Sequence, residues 1–163
     1  MKTLLQNLQA LFKADGSIID QVDERNIVIG SDSIDLLVPV NRFPFIVVDE
    51  SPDTSEEFRV TDVGRISSGT YQKLRARVFH VVVRVAVKLR NKSTALLGED
   101  VGLLDICDNV MDVIFANPKV SGRVESLDEA IIVRRATILD GEVFVGIGRE
   151  ISLTYYTTDE YTF

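Results

Sequence analysis

Apolar residues take alternate positions at Phe79, Val81, Val83, Val85, Val87 and Leu89, with His80, Val82, Arg84, Ala86 and Lys88 between them. Side chains alternate across a strand with period two, so residues 72–89 predict one long β-strand with a dry face and a half-wet face. The β-branched residues that dominate it suit a pleated, half-buried surface. A strand of this length is not stable alone, so the rest of the chain is expected to pair with it or cover it.

The N-terminal pattern has a different period. Leu4, Leu5, Leu8, Leu11 and Phe12 recur at helical spacing, predicting an amphipathic helix over residues 3–13 that Asp15-Gly16 stops. Residues 18–40 are patchy, with short strands expected at Ile27-Val28-Ile29 and at 34–40. Phe45-Ile46-Val47-Val48, directly after Pro44, predicts a short buried strand. Residues 51–68 are rich in Ser, Asp, Glu and Gly, and they predict a polar projection, either a protruding hairpin or a loop. A turn is expected at 90–93.

A second helix is predicted over residues 100–116. Leu103, Leu104, Cys107, Val110, Met111, Ile114 and Phe115 form its apolar stripe, Asp105, Asp108 and Asp112 lie opposite, and Asn117-Pro118 ends it. Its dry face is expected to cover the dry face of the long strand. Residues 131–139 and 142–147 then read as a hairpin turning at Asp140-Gly141. Gly146 and Gly148 predict a bulge or a close backbone approach, 151–156 a last strand, and 157–163 a polar tail, frayed or docked on a neighbour. The fold class is therefore α+β: a mixed, mainly antiparallel sheet carrying two amphipathic helices and a projecting segment, in one domain over residues 1–163.

Charge changes the picture more than composition does. The net charge of −7 argues against nucleic acid as the main partner. Residues 15–62 are strongly acidic, whereas 63–98 hold no Asp or Glu and carry Arg65, Lys73, Arg75, Arg77, Arg84, Lys88, Arg90 and Lys92. Such polarity suits docking against copies of the same chain or against a charged channel, or else the two segments neutralise each other within one subunit. No apolar run reaches the roughly 18 residues that span a bilayer, and the pattern after Met1-Lys2 predicts no secretory signal and no membrane partner. The lone Cys107 allows no internal disulfide and fits a reducing cytoplasm. Asn91-Lys92-Ser93 is then a chance sequon.

The candidate chemistry is thin. His80, the one histidine, sits within the long strand, where a half-buried, hydrogen-bonded side chain is expected in place of a catalytic one. One Cys and one His do not make a zinc site. The adjacent carboxylates Asp49-Glu50, Glu56-Glu57, Glu99-Asp100 and Asp128-Glu129 diverge and do not face one substrate. Asp105, Asp108 and Asp112 lack a ligand loop for a hard cation. Gly146-Ile147-Gly148 is followed by a strand pattern, so it does not cradle a phosphate. Aromatics do not interleave with the basic residues, which leaves a backbone-only contact with DNA in a channel. No cofactor, metal or catalytic residue is expected.

The order of these landmarks resembles the tail terminator (tail completion) proteins of long-tailed bacteriophages. The likeness rests on Phe43-Pro44-Phe45 leading a strand, the helix of residues 103–115 and the closing Leu153-Thr154-Tyr155, and it runs from about residue 4 to 156. Residues 14–42 are longer and less patterned than the family leads one to expect. The resemblance implies a structural virion protein, assembled in the host cytoplasm, that caps the tail tube as a homo-oligomeric, hexameric ring. Its partners would be the tube protein, a head-completion or connector protein, and genome DNA passing through the bore without sequence recognition. At the subunit interface, Arg65, Lys73, Arg75 and Arg77 are expected to meet Asp49, Glu50, Glu56 and Glu57 of the adjacent copy. The alternatives are another head–tail joining or baseplate component, or a small-ligand-binding α+β domain with His80 or Cys107 at its pocket.

Overall fold

The computed structural model describes residues 1–30, 42–54, 56–67, 70–89, 102–124, 126–132, 137–140 and 145–162. In chain order these form α1 (Lys2–Ala14), α2 (Gly16–Ile19), a 3-10 turn (Glu24–Asn26), β1 (Ile27–Ile29), β2 (Phe45–Glu50), β3 (Glu56–Ser67) and β4 (Thr70–Lys88). They continue with α3 (Leu103–Ala116), β5 (Ser126–Ile132), β6 (Thr137–Asp140) and β7 (Val145–Thr162). The strand expected at 34–40, the turn at 90–93, the helix start at Asp100 and the turn residue Gly141 lie outside the described residues.

Two long antiparallel strands are the spine. β4, of 19 residues, pairs with β7, of 18, and the register runs without a slip from Gln72↔Thr162 to Lys88↔Gly146. At about 3.3 Å per residue each spans roughly 60 Å. β2 and β3 lie end to end along the free edge of β4, β2 opposite 81–86 and β3 opposite 70–79. β5 and β6 do the same along β7, opposite 151–156 and 145–148. β1 joins β2 in parallel and makes the seven-stranded sheet mixed. This is the α+β architecture read from the sequence.

α1 and α3 cover one face. Leu4, Leu5, Leu8 and Phe12 of α1 share a core with Leu103, Ile106, Cys107, Val110, Val113 and Ile114 of α3 and with Phe79, Val81, Val83, Val85 and Val87 of β4. The dry face of the long strand is thus the face the helix covers. The stripe on α3 is rotated from the expected one, however. Ile106 and Val113 are buried, Leu104 and Met111 are half-buried, and Phe115 is 59% exposed. The 103, 106, 107, 110, 113, 114 spacing is as good a helical stripe as the expected one, and only contact with the sheet chooses between them. Asp105, Asp108 and Asp112 face outward as expected. Asn117 Nδ2 donates to the Val113 carbonyl at 2.9 Å, closing the helix before Pro118.

Of the two forms expected for the polar projection, hairpin or loop, the hairpin is found: β3 pairs with β4 from Glu56↔Phe79 to Ser67↔Thr70, with register shifts after Asp62 and Arg65. Three expectations need correction. From Val145, where the described residues resume, the strands expected at 142–147 and 151–156 are one strand, because Arg149 and Glu150 sit within the ladder opposite Val85 and Arg84. The tail from Thr157 to Thr162 is not frayed. It continues β7 against Arg77 through Gln72, since backbone hydrogen bonds hold a polar strand wherever a partner strand extends alongside. The strand expected at 131–139 is described in two pieces, β5, which begins already at Ser126, and β6 from Thr137, with 133–136 outside the described residues.

Candidate functional site

Beyond Phe79 and Tyr155, which among the described residues end the helix-covered core along the spine, the sheet goes on as a narrow ribbon. Its strands are β3, the first part of β4, and β7 from Thr157 to Thr162. β5 ends at Ser126↔Tyr156, so among the described residues both margins of the ribbon, β3 and the end of β7, pair on one side only. Such margins present backbone donors and acceptors that another strand can take.

The basic residues singled out in the sequence enter this ribbon. In the backbone register Arg65 lies opposite Tyr71, Lys73 lies between Asp62 and Tyr161, Arg75 between Val60 and Asp159, and Arg77 between Phe58 and Thr157. Where the sheet joins the core, the Arg77 guanidinium pairs with the Glu56 carboxylate. His80 Nε2 meets Glu57 Oε1 at 2.9 Å and its Nδ1 lies 3.5 Å from the Thr154 hydroxyl, as expected of a half-buried strand histidine. Asp49, on β2, accepts from the Glu50 amide at 2.8 Å and lies 3.7 Å from Arg84. Glu50 is exposed at the end of β2. Asp49, Glu56 and Arg77 thus each have a partner of opposite charge within the same chain.

The period of two carries His80 and Arg84 to the face of the sheet opposite α1 and α3. Cys107 is on the helical side, in the core with Val81 and Val83. A His–Cys pair sharing one pocket is therefore not formed. Burial pushes the Cys107 thiol up to about 12, which leaves it protonated and a poor nucleophile. Burial likewise raises the Tyr155 phenol, whose hydroxyl has no hydrogen-bond partner among the described residues. The Phe79 ring has two cations near it, Arg77 at 5.3 Å and Arg123 at 5.6 Å from its centroid. Among the described residues no cluster of three or more His, Cys, Asp or Glu is placed to hold a metal ion. None of their helices is long and apolar enough to cross a membrane.

The open face of the sheet carries a small apolar cluster of Phe45, Val47 and Ala86, with Phe43 and Leu139 packed against it. Beside it lies a pocket of about 170 Å³ lined by Phe45, Ala86, Leu139 and Gly148, with Arg84, Thr137 and Glu150 among its polar walls. Arg84 Nε lies 3.3 Å from Glu150 Oε2. This pocket and the exposed Phe115 were missed in the sequence. The legible signal was the pair Ile106 and Val113, whose inclusion in the stripe turns Phe115 outward. No protein-family model matches the chain, and no curated protein matches it.

Proposed function

We propose that this chain is a structural component of a phage tail that works by self-association: a tail terminator, closing as a hexameric ring on the end of the tail tube. In this reading the ring ends tube polymerisation and offers a surface to the head-proximal connector, while the genome passes through its bore. The virion is then where it acts, after assembly in the host cytoplasm. Its support in the sequence is the resemblance over residues 4–156 described above.

The observation that carries the reading is the ribbon. A three-stranded extension with two one-sided margins reaches past its own core, where a neighbouring copy can pair with it. Contacts between unlike surfaces repeat around an axis and close when the rotation allows, which is how a ring forms from one chain. Glu50, Arg65, Lys73 and Arg75 are the charges proposed to act between copies.

Native mass spectrometry of the purified chain tests this, with a single closed homo-oligomer expected. A chain that stays monomeric at high concentration, and that leaves growing tail tubes uncapped, overturns the proposal. Reversing Lys73 and Arg75 to Glu is expected to leave a folded chain that no longer forms the ring in light scattering.

A further inference from the structure

Two features on opposite sides of the molecule are not accounted for by the fold or the ribbon. One is Phe115, 59% exposed near the end of α3 on the helical layer. The other is the pocket on the open face of the sheet. We infer that they are two halves of one contact: Phe115 of one copy seats in the open-face pocket of the next. This rests on the self-association reading above and names a surface through which it occurs.

Size supports the match. Cavities of about 150 Å³ lined by apolar side chains accept benzene, and this pocket measures about 170 Å³ between Phe45, Ala86, Leu139 and Gly148. The space exists because residue 148 has no side chain, and a Cβ there would sit 3.1 Å from the Val85 carbonyl oxygen. An aromatic anchor in a pocket with a polar rim is the usual energetic centre of a protein contact.

Charge supports it as well. Asp112 is exposed three residues before Phe115, so it stands beside the ring on the same helical face. The pocket wall supplies Arg84, whose contacts to Glu150 at 3.3 Å and Asp49 at 3.7 Å are longer than the usual 2.7–2.9 Å of charge-assisted bonds. The guanidinium therefore retains capacity for a third carboxylate, and Asp112 arrives with the ring.

The layering fixes the symmetry. With the sheet between them, ring and pocket belong to different faces, so each copy uses one surface on its predecessor and the other on its successor. This is a head-to-tail contact, which closes into a ring or runs on as a filament.

Two exposed positions give variants that leave the core untouched: Phe115→Glu removes the anchor, and Thr137→Trp fills the mouth of the pocket. In sedimentation velocity each variant alone is expected to associate at least tenfold more weakly than the wild type. An equimolar mixture of the two keeps one intact anchor and one intact pocket, and is expected to form 1:1 dimers and nothing larger. Wild-type assemblies from either variant alone, or a mixture that stays monomeric, overturn this contact and leave the ring reading standing. A monomeric wild type overturns both.

Discussion

The ring of Phe43 lies over Gly146, so that a Cβ on residue 146 would come within 2.6 Å of Cζ and 3.3 Å of the Val87 carbonyl oxygen. The same ring packs 5.3 Å from the Phe45 ring, centroid to centroid. A glycine in a long strand loses cross-strand packing, and here an aromatic ring from the segment before β2 supplies it. Gly146→Ala is expected to displace Phe43 and cost about 1–3 kcal/mol in chemical denaturation. In a Phe43→Ala background the same change is expected to cost much less, and equal costs in the two backgrounds would show that the ring is not the obstacle.

The orientation of α3 makes a prediction that separates two apolar residues of one helix. Ile106→Ala is expected to lose about 2–5 kcal/mol, as a fully buried side chain facing the sheet. Phe115→Ala on the same helix is expected to change monomer stability by less than about 0.5 kcal/mol. Comparable losses at the two positions would place the stripe where the sequence pattern alone put it.

Cys107 couples stability to alkaline pH. Its thiol ionises at about 12 in the folded chain against a reference of 9.0, so between these values the unfolded chain sheds a proton that the folded one keeps. The contribution is whole below pH 9 and is lost as pH rises toward 12, with a slope approaching about 1.4 kcal/mol per pH unit. Thermal melts from pH 8 to 11 are expected to fall less steeply for Cys107→Ala than for the wild type. The folded thiol is also expected to resist alkylation until denaturant is added.

The Arg77–Glu56 pair tests where the charges are met. If the pairing within one chain is what matters, Arg77→Glu and Glu56→Arg each lower monomer stability by up to about 1 kcal/mol, and the double exchange restores it. Melts at a concentration where the chain is monomeric read this directly. Losses that simply add in the double variant would deny the pair a role.

Much of the fold was legible because its strongest signals are local. The alternation from Phe79 to Leu89, the stripe from Leu4 to Phe12 and the punctuation at Asp15-Gly16 and Asn117-Pro118 each declare an element from a few neighbouring residues. The half-buried, hydrogen-bonded His80 and the close approach at Gly146 were legible for the same reason, although their partners Glu57, Thr154 and Phe43 were not. Those partners come from other strands, and register between strands is not written in either strand alone.

By itself, then, the sequence determined the periods: which residues extend, which coil, and which face of β4 is dry. Tertiary structure decided the rest. It joined two strand patterns and a polar tail into β7, because β4 ran alongside and offered hydrogen bonds along its whole length. It turned α3 until Ile106 and Val113 met the sheet and Phe115 met solvent, because two stripes of similar quality differ only in what they pack against. It also placed Phe115 and the open-face pocket on opposite sides of one sheet, a relation between layers that spacing along a chain does not contain.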